Sequence, residues 1–266
     1  MNRNNERHFA NIPQVHISRS TFNRPQNILT TFNAGELVPF YVDEVLPGDT
    51  FRVRTSAIIR QTTPKYPVMD DAYIDMYYFF VPNRIVWDNF KYFMGEIEST
   101  PWMPAKEYKI PQIKIKGTSD TKKLPETGTI LDYMGVPTKC VGANSELDIN
   151  ALPIRGYVKI WNEFFRDQNV DNQAEVLTDD GDKIYQTGAE TEGKATVETR
   201  LTKANNGGYC LPVNKFHDYF TSCLPYPQRG PEVNLPMTGN ATIKGYKDDN
   251  LTQLLDTGTR VSPVSN

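Results

Sequence analysis

Proline limits what this chain can fold into. Its 19 prolines, together with 17 glycines, make up about one residue in seven, and they are spread along all 266 positions instead of being gathered in one linker. Each proline lacks an amide donor and fixes its own φ, so long helices and uninterrupted ladders are cut short wherever one falls. A helical bundle or coiled coil is excluded on that ground. Short strands joined by long, proline-punctuated connections fit, and so do a few short helices between prolines. A hydrophobic fraction of 38% and a charged fraction of 23% leave enough apolar surface for a core of ordinary size, which excludes a disordered tail and a collagen-like polymer.

The β pattern begins at Glu36. Leu37 to Leu46 is apolar, and Pro47-Gly48-Asp49 is a turn in which proline presets φ, glycine supplies freedom and aspartate bonds the local backbone. From Thr50 to Arg60 the residues alternate. Phe51, Val53, Ala57 and Ile59 face one way, and Arg52, Arg54, Ser56 and Arg60 the other. This predicts a hairpin or strand corner pairing 36–46 with 50–60, with a basic outer face. Ala72 to Val81 is apolar on both faces except at Asp75, which predicts a central strand covered on both sides. Ile113 and Ile115 alternate with Lys114 and Lys116, as on an edge strand guarded by lysines.

Three segments carry helical spacing. The first runs from about Arg84 to Ile97, after Pro82 and a capping Asn83, with Val86, Phe90, Phe93, Met94 and Ile97 on one face. The clearest is Ile154 to Asp167, where Ile154, Tyr157, Val158, Trp161, Phe164 and Phe165 share a stripe. A third is expected over Asn214 to Leu224, ending at Pro225-Tyr226-Pro227.

Charge is small in sum and uneven in place. The whole chain carries −3, too little to mark a dedicated polyanion binder. Residues 1–35 nevertheless set Arg3, Arg7, Arg19 and Arg24 against Glu6 alone, in a polar segment without periodicity. That is a basic arm, suited equally to water, to a polyanion or to a neighbouring subunit. Residues 167–200 reverse the sign, with nine acids against Lys183, Lys194 and Arg200, and read as a long exposed loop or hairpin.

Catalytic chemistry finds little to work with. His8 and His16 lie in the arm and His217 beside Asp218, with no Gly-x-Ser-x-Gly elbow and no cysteine next to a histidine. Asp70, Asp71 and Asp75 form the densest early carboxylate group, the weakest of three functional readings, as a carboxylate hydrolase. Asp179-Asp180-Gly181-Asp182 lacks the Asp-x-Asp-x-Asp-Gly start that would bring Glu190 into EF-hand register, so a solvated turn is expected and no metal site is assigned. There is no phosphate-binding glycine loop, and no cofactor is expected. Cys140, Cys210 and Cys223 are odd in number and widely spaced, which fits a reducing compartment better than a disulfide framework. The polar N-terminus lacks a signal peptide's apolar stretch and no run approaches membrane-spanning length, so a soluble chain made in a cytoplasm is expected.

Four segments, in order, resemble a known family. They are Arg19-Ser20-Thr21-Phe22 with Leu37 to Phe51; Met69-Asp70-Asp71-Ala72-Tyr73-Ile74-Asp75 leading to Phe79-Phe80-Val81-Pro82-Asn83-Arg84 and Trp87; Tyr157 to Asn169; and Asp218 to Pro231. Together they resemble the major capsid proteins of small single-stranded DNA phages, the Microviridae, in the gokushovirus branch. The resemblance implies a mainly β viral jelly-roll sandwich with long loops and a few short helices, self-assembling into an icosahedral shell without catalysis. It implies as partners other copies of itself, the packaged single-stranded DNA, internal scaffolding and minor virion proteins and a host receptor, with no membrane insertion. It also implies residence in the virion after synthesis in the bacterial cytoplasm.

On that reading residues 1–35 are the arm, 36–231 the jelly-roll domain and 232–266 the start of a surface-loop insertion. The chain resembles roughly the N-terminal half of such a protein, and a truncated or split gene would account for it. Arg3, Arg7, Arg19, Arg24, Arg52 and Arg54 become candidates for sequence-independent phosphate contact, with aromatics available to stack on unpaired bases. The acidic 167–200 stretch would face outward. The competing reading is a jelly-roll carbohydrate-binding module, suggested by the chain's aromatic residues and its Asp-rich loops.

Overall fold

A computed structural model of the chain describes residues 18–96, 106–117, 123–187, 196–216, 218–220 and 222–223. Contacts divide the chain into two units, Met1–Phe216 and His217–Asn266.

In the first unit the elements are short, as the prolines require. In order they are α1 (Asn83–Val86), α2 (Phe90–Phe93), β1 (Gln112–Lys116), α3 (Ile130–Tyr133), β2 (Glu146–Asn150), α4 (Leu152–Ile160), a π-helical turn (Trp161–Phe165), β3 (Lys183–Ile184), α5 (Val197–Lys203) and a 3-10 turn (Ala204–Asn206). The sheet is small and mixed. β1 lies in the middle, antiparallel to β2 with Ile113 opposite Ile149 and Ile115 opposite Leu147, and parallel to the two residues of β3. The described residues therefore hold little helix and one three-stranded sheet.

The alternation at 112–116 is real, but its expected edge position is not. β1 is central, Ile113 and Ile115 are 0% exposed, and Lys114 and Lys116 pair with Asp182 at 3.0 Å and Glu146 at 3.5 Å. The lysines hold neighbours together instead of guarding an edge.

The stripe of the second expected helix is confirmed over α4. Pro153 is tolerated in the first turn, and Ile154, Tyr157, Val158 and Trp161 are buried beside Ile130, Leu131, Leu201, Cys210 and Leu211. Each fully buried aliphatic side chain of this kind contributes about 1.5–3 kcal/mol. The helix then widens. The Arg166 amide donates to the Trp161 carbonyl at 2.9 Å, five residues back, and this π register leaves Phe164 exposed.

The first expected helix is broken in two. Trp87 adopts φ −150°, ψ 114° between α1 and α2, its ring is fully buried, and its indole N–H donates to Asp180 at 2.6 Å. That tertiary bond competes with helical continuation. Pro82, not Asn83, holds the N-cap position, and Ile97 lies outside the described residues. Two helices arise where none was expected. α3 follows Thr129, whose hydroxyl accepts the Asp132 amide, and α5 follows Thr196, whose hydroxyl accepts the Thr199 amide at 3.2 Å.

The two most apolar N-terminal stretches differ most from expectation. Residues 37–82 form turns and bends but no helix or strand, so the 36–46 with 50–60 hairpin and the 72–81 central strand are not formed. Only Glu36 enters a bridge, with Pro212. The Pro47-Gly48-Asp49 turn does form: Gly48 has φ +86°, and the Asp49 amide donates to the Leu46 carbonyl at 3.1 Å. Every residue from 44 to 80 is exposed, Asp75 included. Local pattern makes these segments strand-competent, but a strand needs a partner ladder, and among the described residues none lies beside them.

In the second unit the described residues show no helix over 218–223. Instead Asp218 organises a turn, accepting the Phe220 amide at 2.7 Å on its carboxylate and the Ser222 amide at 3.2 Å on its carbonyl. His217, and with it part of the expected third helix, lies outside the described residues.

Candidate assembly and nucleic-acid surface

Residues 18–80 are anchored to the packed part of the first unit at three places, the first being Thr31, whose carbonyl accepts the Tyr133 hydroxyl at 2.9 Å. At Glu36–Leu37, the Leu37 amide donates to the Leu211 carbonyl at 2.9 Å, the Tyr157 hydroxyl donates to the Leu37 carbonyl at 2.8 Å, and Arg200 pairs with Glu36 at 2.8 Å. Just before α1, Tyr77 and Phe79 meet Phe164 and Phe165 with ring centroids 5.0 to 6.0 Å apart. Between the last two anchors runs a ribbon of exposed large apolar side chains that includes Phe51, Val53, Ile58, Ile59, Met69, Tyr73 and Phe80. A continuous stretch of this size is far beyond the scattered apolar residues that ordinary surfaces tolerate.

The candidate arginines fall into three groups. Arg3 and Arg7 lie outside the described residues. Arg19 and Arg24 are both drawn onto residues 43–48, Arg19 donating to the Gly48 carbonyl and Arg24 to the Asp43 carboxylate at 2.7 Å. Arg52 and Arg54, four and six residues beyond Gly48, are exposed and engage no partner among the described residues, like Arg60. Positions 52 and 54 would stand about 6.6 Å apart on one face of an extended chain.

Asp43 has two further donors. The Tyr41 hydroxyl donates to Oδ2 at 2.7 Å and the Glu44 amide to Oδ1 at 2.9 Å. The tyrosine bond, with Arg24 behind it, holds the Asp43 carboxyl below its ordinary pKa, and the same bond pushes the Tyr41 phenol up.

Asp179, Asp180 and Asp182 are exposed, as a solvated turn would have them, but the loop is also tied to the packed region. Arg155 of α4 is 1% exposed, and its guanidinium donates to the carbonyls of Val86, Asp179 and Gly181 and to the Asp179 carboxylate at 3.2 Å. Asp180 accepts from Trp87 and from the Asn89 amide group at 2.8 Å, and Asp182 accepts from the Gln112 amide and Lys114. Asn89 and Trp87 hold the Asp180 carboxyl low, Lys114 does the same for Asp182, and burial lowers Arg155. These aspartates bind α1, β1 and α4 together. Sequence reasoning missed this because Asp-Asp-Gly-Asp reads as polar turn chemistry; a lone arginine within the apolar stripe of α4 was the signal that an acid had to approach.

Three nucleophilic groups among the described residues are shifted away from activation. Burial pushes the Cys210 thiol up to about 12, and Tyr133 and Tyr185 also to about 12. Asp70, Asp71 and Asp75 are exposed, with the Asp70 carboxylate bonded to its neighbour's amide at 2.8 Å. No group of three or more metal-ligating side chains occurs among the described residues, and no helix there is long and apolar enough to cross a membrane.

Comparison with known proteins adds a lineage. A family model described as "Capsid protein (F protein)" matches residues 10–264. Proteins named capsid protein VP1 are similar along most of the chain: that of Bdellovibrio phage phiMH2K is 38% identical over 241 residues, and that of Chlamydia phage 1 is 38% identical over 255, each covering 91% of this chain. That of Spiroplasma virus 4 is 33% identical over 228 residues, covering 86%. The matches take in 39%, 40% and 38% of those three proteins, so the chain spans about two fifths of the length of the curated relatives it matches.

Proposed function

The chain belongs to the phage capsid protein family of the F protein, and from that membership we propose that it is a structural, non-enzymatic shell subunit of a small single-stranded DNA phage. The observation that carries this reading is the exposed ribbon at residues 44–80, whose apolar side chains are those of a buried strand pair and are open to solvent in the isolated chain. A subunit that finishes its fold by assembly presents such surface; a self-contained enzyme buries it.

The proposed architecture is a jelly-roll sandwich spanning residues 36–231, preceded by the basic arm 1–35 and followed by the beginning of a surface insertion at 232–266. Residues 50–60 and 72–81 are strands of that sandwich, paired when polypeptide equivalent to the rest of the longer relatives is present. The subunits associate with one another in an icosahedral shell of the virion, with internal scaffolding and minor virion proteins and a host receptor as further partners, after synthesis in the host cytoplasm. Single-stranded DNA is enclosed through Arg3, Arg7, Arg19, Arg24, Arg52 and Arg54. These contacts are with phosphate, so they are independent of sequence and weaken steeply with salt.

Expression of the chain together with the coding sequence that follows it in its genome, viewed by negative-stain microscopy, tests the proposal. Uniform shells are expected. Persistent monomers at high concentration overturn it, as would a tight calcium-dependent glycan ligand with no self-association.

A further inference from the structure

Arg24 and Asp43 do more than bridge two loops. We propose that Asp43 is a built-in phosphate mimic that straps the basic arm down, so that Arg24 exchanges from Asp43 to a DNA phosphate when the polyanion arrives. The inference rests on the reading of this chain as a DNA-enclosing subunit and adds to it an autoinhibitory contact within the arm.

The two partners are unequal. The Asp43 side chain is 14% exposed and keeps two other donors, the Tyr41 hydroxyl and the Glu44 amide, so its carboxylate stays in place and ionised when the arginine departs. The Arg24 side chain is 64% exposed and has Asp43 as its one partner among the described residues, so it leaves without disturbing packing. An exposed pair of this kind is weak, about twofold to fivefold in an equilibrium constant. Phosphates of a polyanion, at high local concentration, outcompete it.

The strap also sits where exchange is useful. Arg19 is held to the Gly48 carbonyl, so both arginines of the described arm are occupied by residues 43–48. Arg52 and Arg54 follow directly and have no partner among the described residues. With the strap closed Arg52 and Arg54 stand ready for phosphate here, and opening it adds Arg24 as a third. When Arg24 takes a phosphate it displaces a counterion condensed on the DNA, whereas the freed Asp43 carboxylate condenses none, so the strap lowers the affinity of the region and leaves the salt dependence of the bound contact in place.

Fluorescence binding of unlabelled-sequence-class DNA, a mixed-sequence single strand of about 20 nucleotides, to the full chain and its variants over a salt series tests this. In Asp43→Asn, affinity is expected to rise about twofold to fivefold, with the log–log salt slope nearly unchanged, because Arg24 reaches a phosphate in both chains and only the competing pair is removed. The double variant Arg24→Gln with Asp43→Asn should match Arg24→Gln alone. In the otherwise unaltered chain, Arg24→Gln should cost less than Arg52→Gln, because Arg24 must first give up Asp43; this comparison stands even if Asp43→Asn fails to fold. A gain in Asp43→Asn that persists without Arg24 reduces Asp43 to a general negative charge and overturns the strap, as does an unchanged affinity or equal losses at Arg24 and Arg52. Absence of DNA binding by every chain at every salt concentration overturns the DNA reading itself, and the exchange step with it.

Discussion

Residues 50–60 and residues 112–116 follow the same rule and meet opposite fates. Both alternate apolar and basic side chains. In the second, Ile113 and Ile115 are completely buried, because β2 pairs on one side, β3 on the other, and α4 with its neighbours covers the face. In the first, Phe51, Val53 and Ile59 remain 42%, 49% and 50% exposed, with no ladder on either side among the described residues. The lesson is that alternation encodes the readiness to form a strand, while pairing depends on polypeptide from elsewhere. The packed region finds its partners within this chain. Among the described residues the ribbon finds no ladder.

The comparison fails first if stability is shared between the two regions. Trp161→Ala, which empties a fully buried site and removes an indole bond to the Pro212 carbonyl, is expected to cost about 3–5 kcal/mol in chemical denaturation. Ile58→Ala should stay within about 0.5 kcal/mol. Similar losses at both positions would mean that the ribbon folds onto the core in solution.

A smaller effect is expected at the end of β1. A Cβ on Gly117 would lie 1.7 Å from the Gly142 carbonyl oxygen, which is backbone and cannot swing aside. Gly117→Ala should cost about 1–3 kcal/mol, whereas alanine at Gly35 meets open space and bears only the strain of a φ of +79°. Equal melting temperatures for Gly117→Ala and the parent chain would show that this loop approach is loose.

The acidic loop sharpens the contrast through pH. Asp180 and Asp182 have carboxyls held low by their folded partners, so their contribution is fully present above the ordinary aspartate pKa of about 3.9 and is lost as pH falls through the lower folded values. Resistance of the packed region to denaturation should therefore fall as pH drops below about 4. Asp180→Asn should flatten that dependence and lower stability at pH 7. A pH profile unchanged by Asp180→Asn would remove the loop from the packed region's support.

The smallest stability effect belongs to the exposed arginines. Arg52→Gln and Arg54→Gln are expected to leave denaturation within about 0.5 kcal/mol and to lower the salt slope of single-stranded DNA binding by about 0.7 each. Substitutions that unfold the chain without altering the slope would assign these arginines to structure instead.

How much of this was legible depended on range. The stripe of α4 and the turn at Pro47-Gly48-Asp49 are local, and periodicity with turn chemistry reveals both. The break at Trp87 was hidden because the bond that captures its indole comes from Asp180, 93 residues away. The π turn at Trp161–Phe165 was hidden for a related reason: its apolar spacing is that of an α-helix, and the departure shows only in where Phe164 ends up. At the candidate surface the arginines were found by charge. Their division into strapped and free could not be, since it depends on Asp43 and Gly48 coming to meet Arg24 and Arg19.

The 93-residue span between Trp87 and Asp180 also sets a timetable. A ribosome adds about 5–20 residues per second, so residues 44–80 emerge roughly 5–20 s before the loop that fastens α1 to α4 has been made. During that interval every nascent chain displays its most adhesive surface before it has a folded body. Neighbouring chains on one messenger could then meet through these ribbons, and translation speed and chaperone supply would govern the yield of usable subunits.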